Sequence, residues 1–152
     1  MSKMTLVFTL LFGMVAELGA APQGSKPSLD YQFFKSKVQP IFLKKREGRA
    51  RCISCHVTPT GPVFRLQKLQ PGETTWNEEQ SRKNYEAVTT AIAFPGNAKS
   101  PLLIHPLAEE AGGDLFHSGG KQFPSKEDAE WQTLRAWVMG QTSSTSAQAG
   151  TR

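Results

Sequence analysis

The sequence predicts a small, mainly α domain of three or four helices and long loops. No stretch of the 152 residues alternates apolar and polar side chains for long enough to predict a sheet. Apolar residues recur instead at helical spacing behind residues that cap helices. Two loops, 57–76 and 109–124, exceed the about 12–15 residues usual in compact domains unless a loop surrounds something functional. Because the helices are too sparse to form a core alone, we expect a bound group to complete it.

The first predicted helix begins at Leu29, behind a cap supplied by Ser28. Pro40 should end or kink this helix, because proline lacks a backbone N–H and disfavours helix at the residue before it. One side of the helix and of the residues just after Pro40 is apolar. That side consists of Phe33, Phe34, Val38, Ile41 and Phe42.

The second predicted helix spans about 78–94, and a capping box of Asn77 and Gln80 starts it. Its apolar face carries Tyr85, Val88 and Ile92. The Ser100-Pro101 pair is typical of a helix start, with a capping residue before a proline in the first turn. This short third helix should stop near Pro106, where the next proline interrupts it.

The last predicted helix begins behind a Ser125 cap, with Asp128 completing a capping box, and reaches Val138. Trp131, Leu134 and Val138 share one face at helical spacing. Gly140 is a natural stop just after the helix. The Ser, Thr, Ala and Gly-rich end, 141–152, is predicted to be a disordered tail of the domain that spans 28–140.

Residues 1–20 have the layout of a secretory signal peptide, with cleavage expected near Ala20. The apolar run from Met4 to Ala16 would span about 20 Å as a helix, against about 30 Å of membrane hydrocarbon. Retention of the segment as an N-terminal anchor is the alternative. Residues 21–27 are predicted to form a linker. Export places the domain in an oxidising compartment such as the periplasm.

The motif that carries the chemistry is Cys-Ile-Ser-Cys-His at residues 52–56, which contains the only two cysteines of the chain. C-x-x-C-H is the attachment motif of c-type haem. Cys52 and Cys55 would form thioethers with the haem vinyl groups, and His56 would bind the iron as proximal ligand. Three alternatives for these residues are a thioredoxin-like redox pair, a Cys52–Cys55 disulfide, and a zinc site completed by two of the three histidines.

The sixth iron ligand is expected downstream of the motif. His117 is preferred, because glycines on both sides allow the backbone to approach a flat ligand closely. His105 comes second, since it lies among leucines where a packed histidine is common. Met139 comes third, because it lies at the end of the last helix, and Met1, Met4 and Met14 would leave with the signal peptide. An open iron site is the remaining possibility.

The charge balance is basic, with 18 Lys and Arg against 13 Asp and Glu. Seven cations immediately precede the haem motif, and within that stretch only Glu47 opposes them. They are Lys35, Lys37, Lys44, Lys45, Arg46, Arg49 and Arg51. Either this region, 35–51, is a solvated helix face with its loop, or it is a docking surface that attracts an acidic redox partner. Nucleic acid is not expected, because no binding motif for it is present.

The motifs together resemble a known family. Residues 38–42 and 52–56 resemble the start of bacterial single-haem c-type cytochromes. Further segments are similar to the planctomycete-type cytochrome c domain. These are Ser100-Pro101-Leu102-Leu103, His105-Pro106-Leu107, His117-Ser118-Gly119-Gly120 and the Trp131, Leu134, Trp137 pattern. The resemblance implies a small cytochrome c-like fold wrapped around one covalent haem, with the first and last helices crossing beside it at Phe33, Phe34 and Trp137. Relatives that place a methionine before the last helix differ from this chain.

These observations predict a periplasmic mono-haem c-type cytochrome, not an enzyme. It would carry single electrons to or from a membrane electron-transport complex, either a respiratory complex or a photosynthetic reaction centre. Association with the outer face of the cytoplasmic membrane would follow if the N-terminal segment is retained. The alternatives are a haem-based sensor or peroxidase-like domain with an open iron site, and a zinc-stabilised binding module.

Overall fold

A computed structural model describes residues 28–58 and 64–145, and these residues are mainly helical. The helices are α1 (Tyr31–Phe33), α2 (Gln39–Leu43), α3 (Cys52–His56), α4 (Glu78–Ala91), α5 (Pro101–Ile104) and α6 (Ala129–Val138). A π-helical segment (Phe34–Val38) joins α1 to α2, and a 3₁₀ turn (Glu109–Ala111) follows α5. Within the described ranges, extended pairing is limited to two isolated bridges. The mainly α class predicted from the sequence is therefore confirmed.

Several predicted segments lie outside the described residues. They are the signal peptide or anchor at 1–20, the linker at 21–27, and the part of the tail after residue 145. The described start of the tail, 141–145, contains a turn in which Thr145 N donates to Thr142 Oγ1 at 3.3 Å. Among the described helices, none is both long and apolar enough to cross a membrane.

The first helical stretch differs from the prediction at its start and at Pro40. Asp30, not Ser28, is the N-cap, and its carboxylate accepts from Phe33 N. Asp30 caps the helix because its backbone is extended immediately before the first helical residue. From this position a side-chain oxygen can reach the free N–H groups of the first turn. Pro40 does not end the helix. The backbone widens into the π segment just before it, and Gln39 N donates to Phe34 O. A wider turn accommodates the ring that would clash in a regular α-helix.

Helix α4 begins as predicted and ends earlier than predicted. Asn77 and Gln80 form both hydrogen bonds of the capping box. The helix ends at Ala91, because Ile92 adopts a φ of −139° that leaves the helical region. Ser100 precedes α5 without capping it. Its hydroxyl bonds instead to the backbone N and O of Phe94, which ties the end of the α4 region to α5.

Helix α6 also uses a cap nearer to its first turn than predicted. Asp128 is the N-cap, and its carboxylate accepts from Glu130 N and Trp131 N. Ser125 lies three residues earlier and accepts from Glu127 N, so it shapes the approach to the helix. Gly140 stops the helix as predicted. It has a φ of +94°, a left-handed conformation that favours glycine.

The core joins the first and last helical segments. Phe34 and Trp137 are fully buried, and their ring centroids lie 5.2 Å apart. Trp137 Nε1 donates to Asp30 O at 2.8 Å, which satisfies the one polar group of this buried indole. The packing of the first helical segment against the last agrees with the expectation for Phe34 and Trp137. It leaves α3 and the loops around α5 to form the walls of a cavity.

Candidate functional site

The Cys-x-x-Cys-His motif forms the short helix α3 at the wall of this cavity. Helical geometry brings residues three and four apart to the same side of the backbone. Cys52, Cys55 and His56 accordingly all line the cavity, which has a volume of about 430 Å³. This volume falls within the roughly 300–1,000 Å³ typical of small-molecule and cofactor sites. Apolar walls come from Phe42, Phe64, Ala91, Ile92, Pro101 and Leu102.

His56 is held in one orientation and one tautomer. Its Nδ1 lies 3.2 Å from Phe64 O, and the Phe64 ring stacks on the imidazole with centroids 4.0 Å apart. A carbonyl only accepts, so Nδ1 carries the proton and Nε2 keeps its lone pair for a metal. Burial lowers the pKa of His56, against the opposing effect of the Phe64 hydrogen bond. The ring is therefore preoriented, with its Nε2 free to bind a metal.

His117 faces His56 across the cavity. The two ring centroids are 6.4 Å apart, and the ring planes differ by 18°. His117 Nδ1 donates to Gly120 O at 2.6 Å, so here too Nε2 is the nitrogen with the free lone pair. A metal ion held by two imidazole nitrogens lies about 2 Å from each of them. A centroid separation of 6.4 Å leaves room for one metal ion between two rings that both turn Nε2 toward it.

The other two candidates for the sixth ligand are placed differently. His105 also lines the cavity, and its Nδ1 donates to Asp114 Oδ2 at 2.6 Å, which leaves its Nε2 lone pair free as well. Met139 is the C-cap residue of α6, is 44% exposed, and lies outside the cavity wall. The structure thus brings His117 and His105 to the cavity that contains the motif, and leaves Met139 apart from it.

Both cysteines are free thiols in this structure. Burial raises the pKa of the Cys52 thiol, while the neighbouring Arg46 acts in the opposite direction. Cys55 is exposed at the cavity edge. Within the described ranges, His, Cys, Asp and Glu side chains do not assemble into any group of three or more able to hold a metal ion. A porphyrin brings four nitrogen ligands of its own, so haem needs only the two axial positions from the protein.

The basic region before the motif, 35–51, has fewer unpaired cations than its sequence suggests. Two acids from distant segments neutralise part of it, in addition to Glu47. Lys35 Nζ lies 2.5 Å from Glu78 Oε2, Lys44 Nζ lies 2.7 Å from Glu130 Oε1, and Arg46 pairs with Glu130 Oε2. The cations without an acidic partner among the described residues are Lys37, Lys45, Arg49 and Arg51. Of these four, Arg51 lines the cavity.

Three residues of the site escaped the sequence analysis. Phe64 supports His56 from within a long loop, and Asp114 binds His105 from nine positions away. Gln122 lines the cavity, is 4% exposed, and has an Oε1 with no partner among the described residues. No local spacing marks these contacts, because each depends on the path of a loop. The one available signal was Asp114, an acidic residue inside the Gly-rich segment around His117, which could have indicated a hydrogen-bond partner for a nearby histidine.

Comparison with known proteins gives no significant match, whether to a family model, a curated protein or a solved structure. The functional assignment therefore depends on the residues of the cavity.

Proposed function

We propose that this protein is a mono-haem c-type cytochrome that carries single electrons. Cys52 and Cys55 would hold the haem through thioethers, with His56 and His117 as the axial ligands. The observation that carries the proposal is the pair of nearly parallel imidazoles, 6.4 Å apart, in the cavity that both cysteines line. Haem bound there would supply one-electron chemistry through the Fe(III)/Fe(II) couple.

The residues around the cavity have roles that suit electron transfer. Phe64 orients His56 by stacking and by accepting its Nδ1–H, so the ligand needs little rearrangement when the charge changes. Gly120 O does the same for His117. Haem held by both His56 and His117 would offer small molecules such as peroxide no vacant position. The walls of the cavity are mainly apolar, which disfavours water there. These features favour an electron carrier over a sensor or a peroxidase-like domain.

The proposed location and partner follow from the sequence and the surface charge. The signal-peptide layout of residues 1–20 supports the periplasm, or the outer face of the cytoplasmic membrane if that segment is retained. Four cations before the Cys-x-x-Cys-His motif have no acidic partner among the described residues, and they would attract an acidic surface on a redox protein or membrane electron-transport complex. This set is Lys37, Lys45, Arg49 and Arg51.

The test is to produce the protein in a bacterial periplasm with c-type maturation and to characterise the product. We expect a pyridine haemochrome spectrum of thioether-linked haem and an intact mass that exceeds the polypeptide mass by one haem. A colourless protein with stoichiometric zinc would instead support the zinc-stabilised module and refute the proposal. Near-infrared charge-transfer spectra then distinguish two histidine ligands from a histidine–methionine pair.

The axial ligand is tested by substitution in the same holoprotein. His117→Ala should convert the low-spin iron to high spin, because it removes one of the two axial nitrogens. Met139→Leu is the matched control, since Met139 lies outside the cavity, and it should leave the spectrum unchanged. A low-spin spectrum that survives His117→Ala would contradict the ligand assignment while leaving covalent attachment intact.

A further inference from the structure

A hydrogen bond between His105 and Asp114 links the end of α5 to the segment that carries His117. The proposed function gives neither side chain a role. Asp114 Oδ2 accepts from His105 Nδ1 at 2.6 Å. The second carboxylate oxygen, Oδ1, accepts from Phe116 N at 3.0 Å, directly before His117. Both side chains are partly buried, with 33% and 22% of their surfaces exposed. One carboxylate thus connects α5 to the backbone next to the axial ligand.

The backbone of the same segment is held at both ends. At its start, Gly113 N donates to Ala108 O at 2.9 Å. At its end, Gln122 N donates to Pro106 O at 2.7 Å. Between these anchors Leu115 and Phe116 are 77% and 81% exposed, and Phe116 lines the cavity. The position of His117 therefore depends on how firmly the interior of this loop is held.

We propose that His105 and Asp114 are a positioning pair that keeps His117 in place at the iron. The inference rests on the proposed function and names a role that neither residue has there. Hydrogen bonds to an ionised carboxylate are stronger than neutral ones, and partial burial strengthens them further. Removing the carboxylate would free both the backbone before His117 and the link to α5. The axial bond would then break more often, although the ligand itself is still present.

The rate at which carbon monoxide binds to the reduced holoprotein measures this role. Carbon monoxide must wait for His117 to leave, so a looser loop gives faster binding. We expect Asp114→Ala to raise the rate by about tenfold or more, given the strength of charge-assisted hydrogen bonds. His105→Ala should give a smaller rise, because it breaks only the contact with Asp114 Oδ2. The double variant should give no more than Asp114→Ala, because that substitution already breaks this contact. The oxidised spectrum should remain low spin in each.

Two further variants serve as a control and as a second test of the carboxylate. Glu110→Ala is the matched control, since this exposed acid precedes the loop and should leave the rate unchanged. Asp114→Asn retains the oxygen that accepts from Phe116 N and loses the charge, so its rate should lie between wild type and Asp114→Ala. If Asp114→Ala does not fold, the Asn variant carries the test.

Three results would overturn the proposal. Rates of both Asp114 variants within about twofold of the Glu110→Ala rate would show that the pair has no influence on His117. Additive effects of the His105 and Asp114 substitutions would show that they act separately. A high-spin spectrum in His105→Ala would make His105 the axial ligand itself. A protein without haem would refute the proposed function instead, and its missing visible spectrum distinguishes the two failures.

Discussion

Glu130 links the chain before the Cys-x-x-Cys-His motif to the last helix, and its removal provides a quantitative test of the fold. Its Oε1 lies 2.7 Å from Lys44 Nζ, and its Oε2 pairs with Arg46. The side chains of Arg46 and Glu130 are only 12% and 20% exposed. The Arg46 guanidinium also lies 5.0 Å above the Phe123 ring centroid. This contact closes the region immediately before Cys52 against α6.

We expect Glu130→Ala to lower the free energy of unfolding by about 2–3 kcal/mol, because it leaves the Arg46 charge largely buried without a carboxylate. Breaking a fully buried pair costs about 3–5 kcal/mol, and the remaining exposure of both groups reduces that figure. For a domain of this size the midpoint of thermal unfolding should fall by roughly 6–15 °C. Arg46→Met should cost less, about 1 kcal/mol, because it removes the buried charge itself. Glu130 then keeps its ion pair with Lys44.

The assay is urea and thermal unfolding of the holoprotein, followed by far-ultraviolet circular dichroism. Glu79→Ala is the matched control. Glu79 pairs with Lys83 on α4, but both side chains are more than half exposed, so this substitution should leave the unfolding midpoint unchanged. The reasoning is refuted if Glu130→Ala behaves like Glu79→Ala. It also fails if Arg46→Met destabilises the protein as much as Glu130→Ala, since the order of the two tests the buried charge.

Three further predictions concern charge, pH and packing. Arg51→Gln should slow electron exchange with an anionic partner about twofold or more at low ionic strength, in stopped-flow measurements, and flatten its salt dependence; Lys35→Gln should do so less, because Lys35 is already paired, and equal effects would contradict this. Burial raises the pKa of Tyr85 above its unfolded value. Its contribution to the free energy of unfolding is therefore fully present below about pH 10 and is lost as pH rises through the folded pKa. Tyr85→Phe should reduce the alkaline slope of the unfolding free energy against pH, to which Tyr31 also contributes because burial raises its pKa too, and an unchanged slope would exclude Tyr85 as a source. Gly113→Ala places a Cβ 2.0 Å from a backbone oxygen and should cost about 1–3 kcal/mol in urea unfolding. Gly119→Ala meets nothing closer than 3.4 Å and should be tolerated; equal losses would refute the packing argument.

Features that depend on neighbouring residues were predictable from the sequence. The capping box of Asn77 and Gln80 and the helix stop at Gly140 both form as predicted. Their hydrogen bonds and dihedral angles involve residues only a few positions apart, so no distant contact needs to be known. The caps of the first and last helices were predicted too early. In each case a second oxygen-bearing residue, Asp30 or Asp128, lies nearer to the first turn and competes successfully.

Pro40 shows the same limit within a helix. Its sequence position predicts an interruption, but the chain can satisfy the proline by ending, by kinking or by widening into a π segment. Burial decides among these outcomes. Phe34 and Val38 are fully buried within the π segment, and Ile41 and Phe42 beyond the proline are also buried. Continuing the helix keeps all four side chains in the core, which ending it at Gln39 would not.

By itself, the sequence determined the mainly α class and the local helix signals, and it predicted haem attachment at the Cys-x-x-Cys-His motif, since each depends on adjacent residues. The tertiary structure decided which distant groups meet this motif. It brings His117 opposite His56, places Met139 outside the cavity, and sets Glu130 against the cations before Cys52. These outcomes depend on the way in which the long loops pack over buried aromatic residues. The free energy of such packing is shared among many residues far apart in the chain, and no local pattern records it.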